Sequence, residues 1–258
     1  MVSSATGRRA TGDRHATLIH FLGTSICSGE MPPGTVISAD ELCERHGVSR
    51  SVVREALRVM SSMGLVAAKR GVGTTTQPLA AWNLFDPSVI QWRLGSPDRL
   101  RQLRELAELR VGFEPEAAAL AAHRHDADDI ERVLSTGAQL WAAAHRGDTE
   151  GFLALDITFH GTVLEASGNP MYTQYGPIIA ALLQGRAEHG LAKVHPSPEA
   201  LERHMAVMRA IQRGDPDRAR SEARALILDS LAESRSLWDE DAATGGADPG
   251  PETTHPVG

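Results

Sequence analysis

The chain has 258 residues, with 26 Lys and Arg against 33 Asp and Glu for a net charge of -7. At about 100 to 200 residues per domain, that length predicts two domains and room for a sizeable core. Two cysteines, Cys27 and Cys43, exclude a disulfide framework or a zinc ribbon, and the longest apolar run, near Ile178 to Leu183, is far short of the roughly 20 residues a membrane-spanning helix needs. No basic start leads into an apolar core of signal-peptide type, so we expect a cytoplasmic protein with reduced, buried thiols and no membrane partner.

The charge is unevenly spread. Residues 1–80 carry nine basic and six acidic side chains, and residues 81–258 carry 17 and 27, so only the first segment suits nucleic acid. Residues 1–13 and 239–258 are small, polar or rich in Gly, Pro, Ala, Asp and Thr, a composition that predicts disordered tails.

Residues 14–77 read as a winged helix-turn-helix. Ser38 followed by Glu41 is a capping box that starts a short helix with Leu42 inward, and Gly47 closes it in the left-handed conformation. Ser49 caps a second helix at once. Val53, Ala56, Leu57 and Met60 recur at helical spacing, which leaves Arg50, Ser51, Arg54 and Arg58 on the outer side. In this arrangement the second helix enters the major groove with its N-terminal residues nearest the base edges. Arg suits both guanine and phosphate, so Ser49, Arg50, Ser51, Arg54 and Arg58 are the expected DNA-reading set. A wing over roughly Val66 to Thr76, the one convincing β-signal, adds Lys69, Arg70, Gly71 and Gly73 at a hairpin tip. Between Arg45 and Arg70 six Lys or Arg face the single acid Glu55; a solvated helix face is the plain alternative.

Pro33-Gly34, Ala39-Asp40-Glu41-Leu42, the run from Val48 to Leu57 and Gly64-Leu65-Val66 together resemble the GntR family of bacterial transcription regulators. Well-studied members often place a DNA-touching Arg where this chain has Asp40. The resemblance implies double-stranded operator DNA as partner and a homodimer matching a palindromic site.

Residues 78–97 read as a linker with one short helix, since Asp86 can cap and Pro87 can take the first helical position of a segment through Ile90 and Trp92. Residues 98–238 then read as an antiparallel bundle, with helices near 98–123, 127–145, 148–167, 170–188, 197–213 and 216–237. The predicted fold class is therefore mainly α, a winged helix-turn-helix with a small β-wing followed by an all-helical ligand domain.

In the bundle, Asp156 and His160 stand four apart on one helix face, with Phe152 and Val163 on the same stripe. A buried carboxylate is costly unless paired or bound to metal, and this spacing has the reach for one ion, although an ordinary Asp–His pair satisfies it equally. Asp-x-x-Phe-His at 156–160, Ala166-Ser167-Gly168-Asn169-Pro170 and Glu202-Arg203-His204 resemble the ligand domain of the FadR-type (FCD) subgroup. That resemblance implies a divalent ion, zinc before nickel or manganese, on Asp156, His160 and His204. Leu226 stands where a fourth ligand, a His, usually falls, and His189 or His195 could replace it. The same resemblance places effector contacts at Arg110, assigned to the effector's carboxylate, and at Asn169; an Arg110–Glu114 pair is the alternative. The segment from Trp82 to Trp92 resembles the sugar-acid repressors of this family, which implies an aldonate such as galactonate or gluconate as effector. Nothing supplies a nucleophile, a general base or a phosphate loop, so we expect no enzyme.

Overall fold

Ser38 and Ser49 start the second and third helices of the N-terminal unit as their sequence positions predict, in a computed structural model that describes residues 5–193 and 195–245. Helix α1, Ala5–Cys27, leads into strand β1, Val36–Ile37. Helix α2, Ala39–His46, is capped by the Ser38 side chain, which accepts from the Glu41 amide, and it ends at Gly47 with φ 61°. Helix α3, Arg50–Ser62, is capped by Ser49 and buries Val53, Ala56 and Met60. Strands β2, Val66–Lys69, and β3, Gly73–Thr76, form the wing, and β1 pairs antiparallel with β3 to give a three-stranded sheet in the order β1-β3-β2. The sequence pattern misses β1, because two residues are too short to show a period of two.

A 3₁₀ turn, Leu79–Ala81, and helix α4, Pro87–Leu94, follow. Asp86 caps α4 with Pro87 in its first turn, as predicted. This segment is not a bare linker. Val89 and Trp92 belong to the core of the N-terminal unit, together with Leu18, Leu22 and Met60, while Ile90 and Leu94 belong to a bundle core with Leu103 and Leu182. The Trp92 indole lies so close to Gly23 of α1 that a Cβ there would come within 2.3 Å of its ring. On the opposite side, a Cβ at Gly185 would come within 2.4 Å of Leu94.

The bundle comprises α5 (Arg99–Arg124), α6 (Ala127–His145), α7 (Thr149–Ala166), α8 (Pro170–Thr173), α9 (Gly176–Glu188), α10 (Pro198–Gln212) and α11 (Pro216–Gly245). One helix expected over 170–188 is two, because Pro177 has no amide to bond back to the Thr173 carbonyl, so the chain stops after Thr173 and restarts at Gly176 with Pro177 in the first turn. The expected tails are also shorter. Helix covers residues 5–13 and 239–245, since extending an existing helix adds one hydrogen bond per residue whatever the composition; the remainder of both tails lies outside the described residues. Among the described residues no helix is long and apolar enough to cross a membrane.

Candidate functional site

Two surfaces hold the residues singled out by the sequence. On the first, Arg50, Ser51, Arg54 and Arg58 all lie exposed on α3, and Lys69, Arg70, Gly71 and Gly73 lie exposed on the wing. Helix and wing thus each expose basic side chains. Ser49 and Ser51 share a hydrogen bond of 2.8 Å while Ser49 caps the helix. Arg50 reaches Asp40 at 2.9 Å and Arg58 reaches Glu55 at 3.4 Å, both pairs in solvent. Asp40, the departure from the family pattern, thus pairs with the first residue of α3.

The second surface is a cavity of about 590 Å³ in the bundle, lined by residues that include Arg110, Phe152, Asp156, His160, Arg186, His204 and Leu226. Asp156 and His160 come from α7 and His204 from α10, and their candidate ligand atoms all lie within 4.8 Å of one another. The imidazoles are oriented from behind. His204 places Nδ1 2.7 Å from the Ala200 carbonyl oxygen and Nε2 2.8 Å from Asp156 Oδ1. His160 places Nδ1 2.8 Å from Glu114 Oε2 and Nε2 3.5 Å from Asp156 Oδ1. The outer nitrogens face a carbonyl and a carboxylate, the backing that metal-ligating histidines characteristically have, and both inner nitrogens face one Asp156 oxygen. The residues therefore fit a divalent ion with three protein ligands and open coordination positions.

The electrostatics agree. Burial alone would raise the Asp156 carboxyl, but His204, His160 and Arg110 more than offset it and hold the group well below the usual carboxylate range. Glu114 is likewise buried, yet Arg110 and His160 bring it down to about 2. Both carboxylates stay ionised beside the rings.

The remaining candidates are placed differently. Asn169 is not on the cavity: its Oδ1 accepts from the Met171 amide at 3.0 Å and caps α8, which commits it to the helix end. Arg110 does line the cavity, but its Nε and Nη2 are forked onto Glu114, at 3.1 Å for the Nη2 contact, so it does not offer a free fork to an effector carboxylate. No fourth ligand joins the constellation among the described residues, for Leu226 sits at its wall, His195 is exposed and His189 packs beside Gly95. The sequence reading also passed over two residues. Glu114 was legible only as the fourth residue after Arg110, not as the partner of His160. Arg186 had a signal, a lone cation in the apolar run of α9.

Comparisons with known proteins settle the family. Residues 16–75 match the family of bacterial regulatory proteins, gntR family, and residues 105–229 match the FCD domain. The chain is 31% identical over 222 residues to the galactonate operon transcriptional repressor of Escherichia coli strain K12, covering 85% of this chain and 96% of that one. This chain belongs to the GntR family. The regulator is also 26% identical to a probable D-xylose utilization operon transcriptional repressor of Paenarthrobacter nicotinovorans, over 83% of its own length and 86% of the relative's. The solved structure of Lar, which controls expression of the Listeria monocytogenes agr system, superposes with a TM-score of 0.58 at 18% identity, covering 86% of the regulator and 97% of Lar. That last likeness concerns the fold alone. As a GntR-type protein with an FCD domain, the regulator is a DNA-binding transcription factor and not an enzyme.

Proposed function

We propose that the regulator is a repressor that binds a palindromic operator as a homodimer and responds to a sugar acid held at a metal-containing site in the bundle. The observation that carries the effector half is the convergence of Asp156 Oδ1 with the Nε2 atoms of His160 and His204 at the wall of a 590 Å³ cavity. The likeness to a galactonate operon repressor supports an aldonate of galactonate or gluconate type. On this reading Ser49, Arg50, Ser51, Arg54 and Arg58 read the groove, and Lys69, Arg70, Gly71 and Gly73 clamp the backbone. The ion, zinc before nickel or manganese, would supply a Lewis-acidic seat for the carboxylate and neighbouring hydroxyl of the effector.

The chain's own residues connect this cavity to the DNA-facing unit. Helix α9 lines the cavity with Leu183, Arg186 and Ala187 and backs onto α4 where Gly185 meets Leu94. Gln91 donates to the Ala181 carbonyl at 2.8 Å on the same side. Helix α4 in turn meets α1 through Trp92, whose Nε1 donates to His20 Nδ1 at 3.3 Å. An effector that prefers one placement of α9 biases α4 and α1 by its differential affinity, typically about 1 to 3 kcal/mol.

The test is thermal stability of the purified protein against a panel of aldonates and other small carboxylates, with and without chelator, because a ligand selective for the native state raises its melting temperature. A shift with galactonate or gluconate that chelator removes is the expected result. A shift from another carboxylate that chelator leaves intact replaces this reading with a metal-free sensor, and no shift from any sugar acid in metal-loaded protein ends the sugar-acid assignment.

A further inference from the structure

Among the buried cations of the bundle, Arg110 and Arg186 are partnered differently. Arg110 has the Glu114 carboxylate in a fork, and the resulting pair is close to self-neutralising. Arg186, on α9, is equally buried but rests mainly on neutral oxygens. Its Nε donates to Ser234 Oγ at 3.1 Å, its Nη1 to Ser230 Oγ, and its Nη2 to the Ser230 carbonyl at 3.3 Å. The nearest carboxylate, Glu233, lies 3.5 Å from Nη2 and also 3.6 Å from the Lys193 ammonium. That carboxylate is thus divided between two cations.

The electrostatic consequence runs the same way. Burial and the nearby Arg110 charge bring Arg186 down to about 10, against the partial support of Glu233 and Asp156. Burial of Arg110 is instead overcome by Glu114, which leaves that guanidinium raised above its ordinary value. Both side chains line the same cavity as the Asp156, His160 and His204 constellation. These contacts occupy Nε, Nη2 and one hydrogen of Nη1, so the remaining Nη1–H is where a further anion would meet this buried charge, whose neighbours are hydroxyls, a carbonyl and one shared carboxylate.

We infer that Arg186, and not Arg110, anchors the carboxylate of the effector, with Ser230 and Ser234 holding the guanidinium at the cavity wall. The inference rests on the reading of this cavity as the effector site and refines which chemistry the site selects. It assigns Arg186 the choice between a carboxylate and its uncharged counterparts. Glu114 becomes the residue that keeps Arg110 from competing, while orienting His160.

The experiment measures binding of D-gluconate, its neutral amide gluconamide, D-galactonate, lactate, citrate and acetate to the full-length zinc-loaded protein by titration calorimetry, in wild type and in Arg186→Gln. Wild type is expected to bind at least one carboxylate. Arg186→Gln should weaken that carboxylate by about tenfold or more, the scale of a charge-assisted hydrogen-bonded pair, while gluconamide affinity and zinc content stay within about twofold of wild type. If the Gln variant does not fold by circular dichroism, Arg186→Lys, which keeps the charge without the fork, is read against the same twofold limit. Gluconate bound equally by wild type and variant overturns the role of Arg186 and leaves the sugar-acid reading standing. Arg186-dependent binding of lactate or citrate but not of either aldonate supports Arg186 and ends the sugar-acid reading. No binding by any of these carboxylates overturns both.

Discussion

On α3 of the DNA-facing unit the Arg50 side chain is 82% exposed, whereas in the bundle those of Arg110 and Arg186 are 5% and 8% exposed. The same residue type therefore works under opposite conditions. An ion pair in solvent is worth about 0 to 1 kcal/mol, so Asp40 and Glu55 hold Arg50 and Arg58 weakly and leave them free to exchange partners with phosphate or base. A buried charge left without its partner costs several kcal/mol, so each cation and carboxylate around the cavity is fixed by what it touches. The contrast separates a surface where losing one charge costs little from an interior where it costs several kcal/mol.

Asp156→Ala should break the interior most severely. It removes the buried anion that His160 and His204 contact and that the Arg110 charge supports. The expected cost is about 3 to 5 kcal/mol in urea unfolding, the scale for removing one partner of a buried pair. Zinc content by atomic emission should fall to background. Stability within 1 kcal/mol of wild type would show that the constellation is solvated and not a built site.

Arg54→Ala tests the other half of the contrast. Arg54 is exposed on α3 and has no charged partner among the described residues, so its loss should leave stability within about 0.5 kcal/mol, as exposed substitutions do. Operator affinity should nevertheless fall about 5- to 150-fold, the range for one good base contact, and fluorescence anisotropy against altered operators assigns its role. A uniform loss across sequences marks a phosphate contact, a loss confined to one position marks base reading, and unchanged affinity removes Arg54 from the set.

How much of this was legible in the chain follows the same division. Local chemistry reads well: Ser38, Ser49, Asp86 and Gly47 start and stop their helices at the positions their side chains and backbone dictate. The i, i+4 spacing of Asp156 and His160 also places both beside the cavity. What the sequence hides is made by contacts distant along the chain. The pairing of β1 with β3 depends on Thr75 opposite Val36, and the double role of α4 depends on Gly23 and Gly185 lying on its two sides. Arg186 looks like any helical Arg until Ser230 and Ser234, more than forty residues on, are seen to close over it. A charge in an apolar run signals burial, but the partner that decides its chemistry lies elsewhere.

Leu226→His asks whether the open side of the constellation is set by that one residue. Leu226 is buried at the cavity wall and borders the pocket beside His160 and Glu114. An imidazole there would offer the missing fourth ligand and close the tetrahedral set that structural zinc sites prefer. Zinc affinity should rise by about tenfold or more, an order of 1.4 kcal/mol. Aldonate affinity should fall, because the added ligand takes a position that the effector would use. Higher zinc affinity with unchanged aldonate binding would mean that the effector does not sit on the ion.

Asn169→Ala has the smallest expected effect and separates a structural polar residue from a ligand-binding one. In the Ser-Gly-Asn-Pro turn, Asn169 Oδ1 satisfies the Met171 amide at the start of α8, and the chain is already constrained there by Pro170. Losing the cap should cost about 1 kcal/mol, seen as a lower melting temperature. Asn169→Asp, which keeps an accepting oxygen for the same amide, should restore it. Aldonate and operator affinities should stay within about twofold in both variants, since the side chain is spent on the helix and does not line the cavity. If Asn169→Ala lost aldonate binding while Asn169→Asp recovered stability alone, the amide itself would have to reach the ligand, and α8 would have to move toward the cavity when the effector binds.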